Sequence, residues 1–236
     1  MSVVVFGARG FVGSAVTKEL SRRGVPVISV ARSEPRGTPP DGVTFARGNA
    51  LEPDTYKEHL KGARAVVVSI GEPPWEAVRD VDRALLMNGD TNTIVLNAAK
   101  EAGVAKAVVV NATMPAWCPR GYKEGKLKAE AAAVEYAQED RSTLVLKPGV
   151  VTGTRYTAGG IPIPLWLAMA PMRFFFRLFA PILSMLEGML PSLLGGCLSP
   201  PVDVSELALA SADFVQGTEK GVVTLTPKEL VGYTAK

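Results

Sequence analysis

Apolar and polar positions follow two rhythms along the first two-thirds of this chain. Val3–Phe6 is an unbroken apolar run ending at Gly7, the pattern of a strand buried on both faces. From Phe11 to Arg23 the apolar residues Phe11, Val12, Ala15, Val16 and Leu20 recur at helical spacing, and Gly24 ends the helix. The same alternation predicts strands at Val25–Val30, Val43–Arg47, Ala65–Ile70, Ala107–Asn111 and Thr143–Lys147. Between them it predicts a short helix over Pro53–Lys61, a long one over Trp75–Ala102 with a break near Asn88–Gly89, and one over Gly121–Glu139. Strands alternating with helices imply an α/β fold with a doubly wound parallel sheet.

The remainder reads differently. Ile161–Pro201 is strongly apolar and punctuated by prolines, Asp203–Phe214 reads as an ordinary helix, and Gly221–Leu225 as one more strand. The expected organisation is therefore a nucleotide-binding unit at 1–155, a small, apolar, mostly helical lobe at 156–202, and a return to the core at 203–236. A membrane-spanning helix needs about 20 uninterrupted apolar residues. Pro171, Arg173, Arg177, Pro181 and Glu187 interrupt this run, so no span is expected. Four readings of residues 161–196 stay open: a greasy ligand pocket, an interfacial membrane surface with Arg173 and Arg177 toward anionic headgroups, a docking face in a larger membrane-protein complex, and a lobe packing its own core.

Composition narrows the chemistry. The chain has 236 residues, 47% of them hydrophobic and 21% charged, as a globular protein does. Its net charge of +3 is spread without a dense basic block, so no nucleic-acid partner is expected. Cys118 and Cys197 belong to no metal-binding cluster and His59 is the sole histidine, so no metal site is expected. Because the first strand starts at Val3, no secretory signal is expected, and a presequence ahead of residue 1 is left open.

The first strand runs into Gly7-Ala8-Arg9-Gly10-Phe11-Val12-Gly13. In such a loop Gly7 permits the tight strand-to-helix turn, Gly10 lets backbone approach a pyrophosphate, and Gly13 permits close helix packing. The helix N-terminus adds free N–H groups and the positive end of its dipole. This predicts a Rossmann dinucleotide site. Units that bind NAD(H) end the second strand with an acid for the ribose 2′-hydroxyl. Here it ends Ala31-Arg32-Ser33, so Arg32 and Ser33, with Arg9, suit a 2′-phosphate and favour NADP(H) over NAD(H). The alternative for Arg32 is a solvated loop arginine.

These features resemble the atypical and extended short-chain dehydrogenase/reductase superfamily. Further segments carry the likeness: Gly48-Asn49 after the third strand, Gly71 after the fourth, Asn88 through Ala99, and Lys147-Pro148-Gly149-Val150 after the sixth. The resemblance implies that Asn49 lies near the adenine, Gly71 near the adenosine ribose and Pro148 along the cofactor. Tyr122-Lys123-Glu124-Gly125-Lys126 matches the family's YxxxK motif, whose spacing puts Tyr122 and Lys126 on one helix face. A phenol is a weak acid at neutral pH, and a neighbouring ammonium is expected to stabilise its phenolate. By the resemblance, Tyr122 exchanges a proton with the substrate oxygen while hydride passes between nicotinamide and carbon, and Lys126 also holds the nicotinamide ribose. Thr113, with Asn111 as alternate, matches the family's substrate-oxygen donor, and Asn88 is a supporting hydrogen-bonder.

Within the superfamily the sequence is similar to a small mitochondrial branch linked to coenzyme Q biosynthesis and to the NADPH-holding accessory subunit of respiratory complex I. The residues are Val5-Phe6-Gly7, Gly10-Phe11, Ser29 to Ser33, Gly121-Tyr122 with Lys126, and Gly221 to Leu225. Two functions follow as expectations. One is an NADP(H)-dependent oxidoreductase acting on a hydrophobic carbonyl or quinone-pathway compound. The other is a catalytically silent, nucleotide-bound subunit of a membrane-associated respiratory complex. The resemblance places the protein at the matrix side of the mitochondrial inner membrane, with plastid and cytosol left open.

Overall fold

The computed structural model describes residues 1–34, 38–138, 140–156, 161–190, 194 and 198–235. Seven parallel strands form the main sheet. In chain order they are β1 (Val3–Phe6), β2 (Val27–Ala31), β3 (Val43–Arg47), β4 (Ala65–Val68), β5 (Lys106–Val110), β6 (Ser142–Leu146) and β7 (Gly221–Leu225). Their order across the sheet is β3-β2-β1-β4-β5-β6-β7. The chain moves outward from β1 in one direction and then restarts at β4 in the other. The carboxyl ends of β1 and β4 therefore frame the crevice where doubly wound sheets bind ligands. This is a Rossmann fold.

Period-two alternation within strands splits the core into two layers. Val3 and Val5 face the layer that holds Val16 and Leu20 of helix α1 (Phe11–Arg22) and Leu207 of a helix at Val204–Gln216. Val4 and Phe6 face Val95, Leu96 and Tyr136, carried by helices at Thr91–Glu101 and Arg120–Tyr136. The returning C-terminal helix is fastened to α1 by Arg23, which pairs with Asp213 at 2.6 Å and Glu19 at 2.7 Å. The guanidinium of Arg22, bonded beside Glu19, holds that carboxyl down at about 2. Lys106 Nζ closes the end of the same helix by donating to the carbonyl oxygens of Phe214 and Gly217.

Most element edges moved by a residue or two, and the end of the Gly121–Glu139 helix by three, to Tyr136, as helix and strand ends do. The larger correction concerns Trp75–Ala102. It is a sequence of pieces: Pro74–Ala77, Val81–Leu85, a π turn over Leu86–Asp90, and Thr91–Glu101. The true break lies at Val78–Asp80, where the Asp80 carboxylate caps the next helix by accepting from Arg83 N–H. At Asn88–Gly89 the chain stays helical with a looser turn. The Pro53–Lys61 helix is likewise a 3₁₀ turn, Pro53–Thr55, followed by Lys57–Leu60.

Beyond β6, a two-residue strand Val151–Thr152 pairs with Val202–Asp203, and Thr154–Tyr156 pairs antiparallel with Pro162–Pro164. Two helices, Leu165–Leu178 and Ala180–Met189, follow. Among their described side chains only Leu183 and Glu187 are buried, so this pair does not pack a core of its own. The Arg173 and Arg177 side chains, Glu139, Cys197 and part of the 161–196 segment lie outside the described residues.

Candidate functional site

The glycine loop crosses the sheet at the β1/β4 crevice. Gly7 has φ 81°, and a Cβ there would sit 2.3 Å from the carbonyl oxygen of Ser69. Both left-handed backbone and close strand approach exclude a side chain. A Cβ on Gly13 would lie 2.1 Å from the Gly7 carbonyl oxygen, so its role is to let α1 close on the loop rather than on the sheet. Gly10 differs: its Cβ would meet only the Gly7 oxygen, at 3.2 Å, and otherwise point into open space. No side chain caps α1, which leaves its first-turn N–H groups for an anion. These are the properties a pyrophosphate needs.

Two cavities flank the loop and share Ile70. The first, about 180 Å³, is lined by Gly7, Val30, Arg32, Gly48, Asn49 and Thr91. Its size and mostly apolar wall suit an adenine, and Arg32 stands at its β2 end. Arg9 Nη1 donates to Ser33 Oγ at 2.8 Å and to the Ser33 carbonyl oxygen at 3.2 Å. Arg9, Arg32 and Ser33 thus gather at one exposed corner. Asn49 is in the wall, but its amide is spent locally: Nδ2 donates to Glu52 at 2.6 Å and Oδ1 accepts from Leu51 N–H.

The second cavity, about 330 Å³, holds the expected chemistry. Gly10, Phe11, Gly71, Asn88, Tyr122 and Lys126 all line it. Asn88 is fully buried; its Oδ1 accepts from the Glu72 N–H at 3.2 Å and its Nδ2 donates to the Ala84 carbonyl at 3.0 Å. It therefore holds the loop after β4, and does so from within the π turn. A Cβ on Gly71 would lie 2.7 Å from Asn88 Oδ1 and 3.3 Å from Lys126 Nζ. Lys126 Nζ donates to the Val110 carbonyl at 3.1 Å, and burial pulls its pKa down to about 8.

Three of the expectations fail at this point. Tyr122 does not have a lowered pKa. Lys126 Nζ lies over its ring, 5.8 Å from the centroid, and burial, reinforced by the nearby Cys118, pushes the phenol up to about 12. Thr113 is not in the cavity wall, because its hydroxyl donates to the Lys147 carbonyl at 2.6 Å and its N–H to the Pro148 carbonyl at 2.8 Å. Pro148 is correspondingly buried in that crossing and lines neither cavity. The alternate, Asn111, is also committed: it donates to the Lys126 carbonyl at 3.1 Å and accepts from Ala112 N–H.

Other residues were missed. Gly89 and Gly125 let the Tyr122 helix close on the π turn, and Gly121 lets it close on the helix before it, Val81–Leu85. A Cβ on Gly121 would sit 2.5 Å from the Val81 carbonyl, and one on Gly125 2.9 Å from Asn88 Cβ. Gly121 and Gly125, four residues apart beside Tyr122 and Lys126, were the available signal. Ser69, Trp75 and Arg155 complete the wall, and no motif pointed to them.

The family described as NAD(P)H-binding matches residues 7–148, which span the glycine loop, the YxxxK helix and both cavity walls apart from Phe6 and Arg155. The chain belongs to that family. It is an NAD(P)H-binding family built on a Rossmann fold. A chloroplastic protein of Arabidopsis thaliana, itself uncharacterized, is 34% identical over 228 residues, covering 91% of this chain and 71% of that protein. Among solved structures, MoeE5 in complex with UDP-glucose and NAD superposes with a TM-score of 0.67 at 20% identity, over 96% of this chain and 75% of that one. The UDP-glucose 4-epimerase of Thermus thermophilus, in complex with NAD, gives 0.66 at 19% identity, over 100% of this chain and 85% of that one. At these identities the structures show the shared fold. The family is coarser than either branch that the sequence resembled.

Proposed function

We propose that this protein is an NADP(H)-dependent oxidoreductase that reduces a hydrophobic carbonyl or quinone-pathway compound. The observation that carries this is the convergence of Tyr122, Lys126, Asn88 and Gly71 on one cavity beside the glycine loop. A bound nicotinamide dinucleotide would supply the hydride. The protein's part is to hold and deliver a proton. Tyr122, raised to about 12 by burial, carries its proton at neutral pH and is the group placed to pass it to a substrate oxygen. Lys126 is a positioning residue that places its ammonium beneath the ring and beside Gly71. Asn88 fixes the wall opposite.

The choice of the phosphate-bearing cofactor is supported by the Arg9–Ser33 hydrogen bond and by Arg32 in the adjoining cavity wall, where an acid would otherwise bind a ribose hydroxyl. A plastid location is part of this reading, supported by the chloroplastic relative. A second reading is favoured by one observation, the commitment of Thr113 to the Lys147 carbonyl: a protein that holds its nucleotide without turnover. Purified chain separates the two. NADPH oxidation against a panel of quinones and apolar carbonyls, lost in Tyr122→Phe with NADPH affinity unchanged, supports the reductase. Tight NADPH binding with no turnover across the panel supports the silent protein.

A further inference from the structure

Between Ile161 and Leu190 the sequence carries two bases, Arg173 and Arg177, and one acid, Glu187. That acid is turned inward, 8% exposed, with Lys228 Nζ 3.5 Å away. Among the described side chains, those left outside are chiefly apolar: Leu167, Phe174, Leu178, Ile182, Met185 and Met189 are all more than half exposed, on both helices of the pair. A protein interface of ordinary kind mixes such side chains with many polar ones, at about 56–65% apolar area. A surface this poor in polar groups matches hydrocarbon better than another protein.

Length and shape narrow the occupant further. Among the described residues no single helix is long and apolar enough to cross a membrane. The 14-residue and 10-residue helices measure roughly 21 Å and 15 Å, against a hydrocarbon core of about 30 Å. They are bent by 79° between Leu165–Phe176 and Ala180–Met189. This is a shape that enters one leaflet and turns back. Described cations stand around its base: Arg155 pairs in register with Ile163, Lys18 lies over Tyr156, and Lys228 flanks Glu187. They complement anionic headgroups.

We propose that residues 161–190 form a monotopic docking element that seats the protein on an anionic lipid bilayer. The base of this element adjoins the nucleotide crevice. Trp166 N–H donates to the Gly153 carbonyl, Gly153 lies against Phe11, and Arg155 is in the wall of the Tyr122 cavity. Docking therefore brings that cavity to the lipid surface, whether or not the cavity turns over a substrate.

The test is flotation of the full chain with vesicles of phosphatidylcholine, alone or mixed with phosphatidylglycerol, and NADPH affinity measured in parallel. The expected result is binding to the mixed vesicles, weaker binding to phosphatidylcholine alone, and at least about a tenfold loss in Phe174→Ser/Phe175→Ser/Leu178→Ser with NADPH affinity kept. Should that variant not fold, the unaltered chain on vesicles of brominated lipid gives a second reading. Its tryptophan fluorescence is quenched, and the quenching is lost in Trp166→Phe. A chain that binds NADPH but stays in the aqueous fraction with either lipid overturns the proposal. So does a dimer that the triple substitution splits while vesicle binding is absent, since a second copy then covers the face.

Discussion

The sheet and the helix pair at 165–189 are built from the same apolar residue types and do opposite things with them. In β1, β4 and β6 every side chain is buried, because helices cover both faces. In the helix pair the described side chains are almost all solvent-facing. Apolar composition alone therefore does not say where a core is; the partner layer does. The sheet half is stabilised by burial, at roughly 25 cal/mol per Å² of apolar surface, whereas the described contacts of the pair with the rest include the Trp166–Gly153 hydrogen bond and the Glu187–Lys228 ion pair. The substitutions below grade that difference, starting where the largest loss is expected.

Leu144, in β6, is 1% exposed. Leu144→Ala is expected to cost about 3 kcal/mol in urea unfolding, from lost transfer energy and the cavity left behind. Gly13→Ala is next: its Cβ cannot sit 2.1 Å from the Gly7 oxygen, so the loop must shift. About 2 kcal/mol of stability is expected to go, and NADPH affinity with it. Equal affinity in Gly13→Ala by calorimetry would show that the loop does not carry the pyrophosphate.

The same contrast explains what could be read from the sequence. Val3–Phe6, Val43–Arg47 and the glycine loop were legible because local pattern and tertiary role agree there. The π turn was legible only as an irregularity near Asn88–Gly89; its packing involves the close approach of Gly89 to Gly125, a long-range contact. The break at Asp80 had a local signal, an N-cap acid followed by Val81, and the apolar run around it hid it. Among site residues, Tyr122 and Lys126, from the YxxxK spacing, and Asn88 and Gly71, from the family resemblance, line one cavity. Thr113 and Pro148 do not, because a backbone crossing between the ends of β5 and β6 takes up the groups they were expected to present. The depressed Tyr122 pKa failed for a different reason: spacing fixes a helix face but not how dry it is.

Lys126 contributes to the pH behaviour of the sheet half. Its folded pKa, about 8, lies below the ordinary 10.5, so the unfolded chain binds more protons between those values. Stability must then rise with pH from about 8 toward 10. Tyr122, raised from 10.0 to about 12, acts oppositely: its contribution is present below 10 and lost as pH climbs through 12. Lys106, also lowered by burial, and Cys118, raised from 9.0, bear on the same range, so the lysine is isolated by the difference from Lys126→Met in urea unfolding between pH 7.5 and about 9.5. The unaltered protein is expected to gain stability relative to Lys126→Met across that window, and parallel curves would mean that Lys126 is solvated. A smaller effect is expected at the exposed corner. Arg32→Ala is expected to lower the NADPH/NADH affinity ratio about tenfold, one charge-assisted contact, with stability unchanged. An unchanged ratio in titrations of both nucleotides would remove Arg32 from the cofactor assignment.

The smallest effect is the one that sharpens the comparison most. Phe174 is 69% exposed on the first helix of the pair. A buried phenylalanine cut to alanine costs about 3–5 kcal/mol. Here there is little packing to lose and no cavity to leave, so Phe174→Ala is expected to change urea stability by less than about 0.5 kcal/mol in lipid-free buffer. A loss of core size in that buffer would mean that the ring is buried within the chain itself, and the division between a covered sheet and an uncovered helix pair would no longer hold. The same substitution measured with anionic vesicles present is expected to behave differently. If lipid covers the helices, the ring gains its partner layer there, and stability then depends on Phe174 only when the bilayer is present. A side chain silent in water and costly to remove on lipid places the missing layer outside the protein.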